Sequence, residues 1–366
     1  MLPRRVLWEV ARGALNLGCR NQYLALVGDS SGWVLDYEAA QIARVMHTAG
    51  SAAYVSTRPW PHQAAFFLSR DLALRNLARW RRQGVAVCLP YYHGYPGQGD
   101  RRFDETYDRL CMGHDHVSRI QVTHPRMREV VLASGIAPNK VRTIPIGVDA
   151  RVFVVPTKPQ RDAVRQRLGI PESAIVVGSF QKDGNGWGAG AEPKRVKAPE
   201  ILIAALRLLH AAVPELFVLL SGPARGFVKT GLDAAGIPYL HAAAANQADV
   251  SALFHALDAY IVASREEGGP KAILESMASG VPIISTRVGQ APELIRHADN
   301  GWLADVDDAE SLARFALEAI RTVGPSSPVL AAARATAEAN DYLSQMPLWM
   351  DFFDGLIAPS TGRAVR

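Results

Sequence analysis

The stretch from Asp258 to Thr286, DAYIVASREEGGPKAILESMASGVPIIST, constrains the fold more than any other. Asp258 to Ala263 is a short apolar run with β-branched residues, as in a buried strand. Glu266, Glu267, Gly268 and Gly269 follow as a turn. Pro270 suits the first helical position, where its missing N–H costs nothing. Ile273, Leu274, Met277 and Ala278 then form an apolar stripe at helical spacing. Gly280 stops the helix, and Val281 to Thr286 (VPIIST) is a second buried strand. Strand, glycine turn, helix and strand make one βαβ unit, whose strands run parallel. Such sheets are covered by helices on both faces, so the chain is an α/β protein.

The chemistry of this stretch follows from its geometry. Ligands of open α/β sheets sit at the carboxyl ends of the strands. The Gly268–Gly269 turn lies at such an end and opens a helix, so its backbone N–H groups suit a phosphate. Glu267 and Glu275, with seven residues between them, cannot bind the phosphate. Their carboxylates suit hydroxyl donors, such as those of a ribose and a sugar. The bland alternative is a Rossmann-like unit carrying two solvated glutamates.

The Glu-x7-Glu pair, the Ala-Ser-Gly-Val-Pro turn (278–282) and the Thr-Arg-Val-Gly run (286–289) resemble the donor-site motif of family 4 glycosyltransferases. These are retaining enzymes of the GT-B fold. The resemblance implies that Glu267 faces the transferred sugar, that Glu275 holds the ribose hydroxyls, and that backbone N–H groups of Gly268 and Gly269 meet the diphosphate. Gly-Gly-Pro-Lys stands where the family more often has Gly-Phe-Gly-Leu-Pro, which keeps both carboxylates. The match is specific over 258–306, good in outline over 140–226 and weak before residue 84.

A chain of 366 residues is natural for two domains. A hydrophobic content of 48% supports packed cores. No apolar run reaches the roughly 18 residues needed to span a bilayer. Glu9 and Arg12 interrupt what would be a signal peptide's core, and Val6, Leu7, Val10, Ala14 and Leu15 fit a short amphipathic helix instead. Cys19, Cys88 and Cys111 show neither disulfide-framework nor zinc spacing, which points to a reducing cytoplasm. Residues 1–150 hold 19 Lys and Arg against 12 Asp and Glu, whereas 151–366 hold 21 against 23. The basic half is either an ordinary surface or one that meets an anionic partner: a phosphate-linked acceptor or, for a cytoplasmic protein at the inner face of the membrane, acidic lipid. No nucleic-acid motif accompanies the charge.

In chain order, Tyr23 to Gly28 reads as the first strand, followed by a small-residue loop and a helix over Tyr37 to His47. Gly32 in that loop is a candidate donor contact. Ala52 to Ser56 and Ala65 to Ser69 read as strands. Arg70, Arg75, Arg79, Arg81 and Arg82 read as a solvated helix face, with the landing place of an anionic acceptor as the alternative. Val85 to Tyr92 is a strand that ends in His93-Gly94. A histidine at the carboxyl end of a parallel strand points at the ligand crevice, and the resemblance places such a histidine beside the reacting sugar. Tyr95 to Arg102 reads as a mobile glycine-rich loop, suited to an acceptor. KVRTIPIGVD (140–149) resembles the segment that leaves the family's N-terminal domain, with Ile146 where Asn is usual. After the strand Ala174 to Phe180 the family carries an Arg, here replaced by Ser179, and a Lys that Lys197 matches. Between them lies a long loop from Lys182 to Lys194. Lys182 is a candidate substitute for the missing Arg. Arg225, in a strand-end turn, either reaches phosphate or caps the turn.

The expected architecture is therefore GT-B: two Rossmann-like domains facing across a cleft, 1–150 and 151–339, with a C-terminal helix (340–357) returning to the first. The expected reaction moves a sugar from a nucleoside diphosphate sugar to a sugar or lipid-linked acceptor hydroxyl, with retention and in bacterial glycan, polysaccharide or glycolipid biosynthesis. His93 and Glu267 are the catalytic candidates. Gly32, Lys182, Lys197, Arg225, Gly268, Gly269 and Glu275 are the donor-binding ones. No cofactor or metal is expected. The alternatives are a nucleotide-sugar epimerase of the same fold and a binding protein without turnover. A dehydrogenase is disfavoured by the lack of a complete dinucleotide fingerprint.

Overall fold

The computed structural model describes residues 23–28 and 34–357. Gly32, Cys19, the amphipathic segment at residues 6–15 and the tail from residue 358 lie outside the described residues. The chain divides into two compact units. One runs through Ile144 and resumes at Tyr342; the other is Pro145–Asp341. The change of unit at Ile144 comes six residues before the expected 150.

The first unit is a six-stranded parallel sheet of β1 (Tyr23–Val27), β2 (Ala52–Ser56), β3 (Ala64–Phe67), β4 (Ala86–Pro90), β5 (Val117–Val122) and β6 (Val141–Thr143). The strand order is β2-β1-β3-β4-β5-β6. Its strands read as unbroken apolar runs because both faces are covered. Leu24, Ala25, Leu26 and Val27 are all fully buried. One cover is the final helix, Met346–Phe353. Trp349, Phe352 and Phe353 are buried and meet Phe66 of β3 edge-on, with ring centroids 5.6–6.0 Å apart. Each such burial contributes about 1.5–3 kcal/mol. Tyr342 adds a buried hydrogen bond, donating to Glu38 at 2.5 Å. The aromatic load at the end of the chain thus has its expected use.

The arginine run differs from expectation. It forms two short helices, Arg70–Arg75 and Leu77–Arg82. Arg75, Arg79, Arg81 and Arg82 are exposed as expected, but Arg70 is turned towards the end of β4, where it donates to the carbonyl of His93. Part of the glycine-rich stretch is also helical: Asp100 caps a helix over Arg101–Gly113 by accepting from the N–H of Arg102 at 3.0 Å.

The second unit holds β7 (Ile175–Phe180), β8 (Leu216–Ser221), β9 (Tyr239–His241), β10 (Ala259–Val262), β11 (Ile283–Thr286) and β12 (Trp302–Ala304). They pair in parallel in the order β12-β11-β10-β7-β8-β9. From β7 the chain winds outwards through β8 and β9, then returns to the other side of β7 for β10, β11 and β12. This is the doubly wound order, and β7 and β10 flank its switch point. The entering and leaving segments are tied together: the N–H of Val148 donates to the carbonyl of Asn340 at 3.2 Å, and that of Ala150 to Asp341 Oδ2 at 2.9 Å. Among the described residues no helix is long and apolar enough to cross a membrane.

Candidate donor site at the switch point of the second unit

Two loops meet beyond the carboxyl ends of β7 and β10. The β10 loop begins at Ser264, which is fully buried. The N–H groups of Arg265 and Glu266 donate to the carbonyl of Val196 at 2.9 and 3.1 Å. Arg265 also pairs with Glu200 at 2.6 Å and Asp307 at 2.5 Å. These ties lay the loop against the short turn Arg195–Lys197. As a result Lys197 Nζ forms an ion pair with Glu267 Oε1, and both side chains are largely shielded. The same oxygen accepts from Ser264 Oγ at 2.8 Å, and the Ser264 carbonyl accepts from Thr286 Oγ1 at 2.6 Å. Glu267 and Lys197, 70 residues apart in sequence, are thereby brought together.

Pro270 is the N-cap, and the helix begins at Lys271, one residue later than expected. The N–H groups of Gly268 and Gly269 accordingly lie in the turn rather than in the helix. This turn is pressed against the loop after β11. A Cβ on Gly289, whose φ is +53°, would lie 2.5 Å from the carbonyl oxygen of Gly268, so only glycine fits. Gln290, fully buried, abuts Gly269 and accepts from the N–H of Ile146 at 2.9 Å. The Ile146 segment therefore engages this loop through its backbone.

Glu275, in the Lys271–Ala278 helix, is buried. Its carboxylate and that of Glu267 both lie close enough to the Tyr260 hydroxyl to disfavour the phenolate. Burial is the larger cause, and together these effects hold the Tyr260 pKa well above its ordinary value. Tyr260 is fixed at the end of β7, accepting from the N–H of Phe180 at 2.6 Å and donating to its carbonyl at 3.2 Å. Both glutamates thus gather at the switch point.

Lys182 and Arg225 take different places. Arg225 is fully buried. Its guanidinium donates to the carbonyls of Ser179 and Ser221 at 2.5 and 2.8 Å, to Ser179 Oγ at 3.2 Å, and pairs with Asp183 at 3.0 Å. Of the two roles expected for Arg225, this is the structural one: it joins the ends of β7 and β8. Asp183 is fully buried too, and burial raises its carboxyl pKa against the opposing pull of Arg225 and Lys197. From Asp183 the long loop rises as a hairpin, closed by the Lys194 N–H to the Asp183 carbonyl at 2.7 Å. The N–H groups of Gly226 and Phe227 hold it down through Ala189 and Gly190. Lys182 Nζ lies 3.7 Å from the ring centre of Trp187, near the hairpin tip.

In the first unit, His93 is exposed beyond β4, its ring 5.4 Å from that of Phe103. Reading the sequence missed Tyr260, Ser264, Asp183 and Gln290. Tyr260 was visible only as one apolar residue of a strand. Asp183 and Gln290 become notable only through partners distant in sequence.

Comparison with known proteins bears on the family and the fold that the chain resembles. Residues 188–322 match the model of the glycosyl transferases group 1 family. A D-inositol 3-phosphate glycosyltransferase of Stackebrandtia nassauensis is 29% identical over 53% of this chain and 44% of its own length. The N-acetyl-alpha-D-glucosaminyl L-malate synthase of Bacillus anthracis is 27% identical over 51% of this chain and 46% of its own. The chain thus spans less than half the length of these two relatives. Among solved structures, Anabaena HepE in complex with UDP and glucose superposes with a TM-score of 0.73 at 16% identity, covering 92% of this chain and 100% of that one. Sucrose-phosphate synthase from Thermosynechococcus elongatus gives a TM-score of 0.71 at 16% identity, covering 90% and 97%. The chain has the GT-B fold, and its residues 188–322 are similar to the glycosyl transferases group 1 family.

Proposed function

We propose that the chain transfers a sugar from a nucleoside diphosphate sugar to an acceptor hydroxyl, with retention of anomeric configuration, in the assembly of a bacterial glycan, polysaccharide or glycolipid. The observation that carries this reading is the Lys197–Glu267 pair beside the Gly268–Gly269 turn at the switch point. The names of the relatives, and the UDP and glucose bound to the Anabaena protein, support the same class of donor.

In this reading the bond between the sugar's anomeric carbon and the diphosphate oxygen breaks as the acceptor oxygen bonds to that carbon on the same face. The acceptor's proton ends on the departing phosphate. Negative charge grows on the diphosphate while positive charge grows on the sugar ring. Lys197, the N–H groups of Gly268 and Gly269, and the N-terminal end of the Lys271–Ala278 helix stabilise the first. Glu267 holds the sugar, with Ser264 and Lys197 fixing its carboxylate. Glu275 takes the ribose hydroxyls, and His93 the sugar or acceptor.

Glu275→Gln tests the donor assignment. It is expected to weaken nucleoside diphosphate binding by about 1.5–3 kcal/mol, the worth of a hydrogen bond to a charged group. Unchanged affinity by calorimetry in a folded variant removes Glu275 from the site. Since protein groups supply the positive charge in this scheme, EDTA is expected to leave turnover intact. Abolition by EDTA with rescue by magnesium contradicts that account of the leaving group.

A further inference from the structure

We propose that Arg70 is a positioning residue for His93; the proposal rests on the function assigned to His93 above. Arg70 follows β3 and His93 follows β4, adjacent strands beside the β1/β3 switch point of the first sheet. Ligands of such sheets gather at these strand ends. The Arg70 guanidinium lies 4.3 Å from the ring centre of Tyr91 and 5.6 Å from that of Phe103, and it donates to the His93 carbonyl. Tyr91 is fully buried, so one wall of this slot is fixed by the core. Phe103, from the Arg101–Gly113 helix, also meets the His93 ring.

The backbone closes the slot. Gly94 has a φ of +96°, and a Cβ there would lie 2.7 Å from Arg70 Nη2 and 2.9 Å from Phe103 Cδ1. The helix that begins at Arg70 is held to the Arg101–Gly113 helix by Thr106 Oγ1, which donates to Asp71 Oδ1 at 2.8 Å. A planar guanidinium can stack on an aromatic face while its edge donates to a carbonyl; a lysine ammonium cannot do both. Arg70 thereby fixes the main chain that carries His93, while Phe103 limits the imidazole. The chemistry assigned to His93 needs that fixity, because small misplacement of a reacting group costs rate steeply.

The test uses the full chain with isotope-labelled histidine, the His93 signal being assigned by its loss in His93→Ala. In Arg70→Lys the His93 imidazole signal is expected to shift or broaden, while the other histidine signals hold. Turnover is expected to fall about tenfold with the donor KM within about twofold, and the same change made in His93→Ala to cost less than about twofold more. If Arg70→Lys fails to fold, Phe103→Leu removes the ring that both side chains meet and is read the same way. An unmoved His93 signal overturns the proposal, as does an equal loss in the His93→Ala background, which would mean that Arg70 acts by itself. Absence of transfer by the wild-type protein refutes the assigned activity instead, and the His93 signal still decides the positioning.

Discussion

Two lysines near the end of β7 have the right charge for a diphosphate, and their partners distinguish them. Lys197 is paired with Glu267 in a shielded setting, within reach of Asp183's field. Lys182 lies over the face of Trp187, an exposed ring. Lys197→Ala is therefore expected to lower turnover by about a hundredfold or more, the scale of losing one preorganised electrostatic donor, and Lys182→Ala by far less. Equal losses measured with a common donor would place Lys182 on the diphosphate. Ser179 stands where the family's Arg is expected, and Arg225, the nearest visible substitute, is consumed in joining β7 to β8. Removing one member of a buried ion pair such as Arg225–Asp183 costs about 3–5 kcal/mol. The sequence could not separate these roles, because the residues that occupy Arg225 are 4, 42 and 46 positions away.

At the scale of elements, local signals were readable and long-range ties were not. The strand–turn–helix–strand unit over 258–286 forms as its residue pattern indicates, apart from the one-residue shift at Pro270. Missed was the Lys158–Arg167 helix, although Thr157 and Gln160 form a capping box. That signal lies in the chain at Thr157 and Gln160. His124 illustrates a tie that burial creates. It caps the Pro125–Ala133 helix, its Nδ1 accepting from the N–H of Met127 at 3.4 Å. Burial, then the charge of Arg126, lowers its pKa to about 4. An imidazole must be neutral to accept there, and a positive charge at a helix N-terminus is unfavourable. With the folded pKa below the unfolded value of about 6.5, its contribution is present above pH 6.5 and is lost as pH falls towards 4. His124→Asn keeps a capping acceptor that does not titrate. It is expected to remove on the order of 2–3 kcal/mol of the acid-induced loss of stability between those pH values. Denaturant titrations of both proteins at pH 7 and pH 4.5 check this; parallel losses would show that His124 contributes nothing to the acid sensitivity.

For the whole molecule, the change of unit comes at Ile144 rather than at the expected 150, while two Rossmann-like sheets and a terminal helix returning to the first unit were legible from the family resemblance together with strand patterning and the aromatic load at the chain's end. Strand order was not, because parallel pairing is decided by crossovers and core packing rather than by any residue within a strand. The order places β7 beside β10, and with it the Lys197, Glu267 and Glu275 site at a switch point. Sugar transfer is the central claim built on that placement. The direct measurement is incubation of the full chain with a panel of nucleoside diphosphate sugars and candidate acceptors, followed by mass and anomeric analysis of the products. The account predicts, for at least one donor, release of the nucleoside diphosphate together with an acceptor heavier by one sugar residue in the donor's anomeric configuration. An epimerised sugar with no acceptor adduct, an adduct of inverted configuration, or tight nucleotide-sugar binding without turnover across the panel would contradict it.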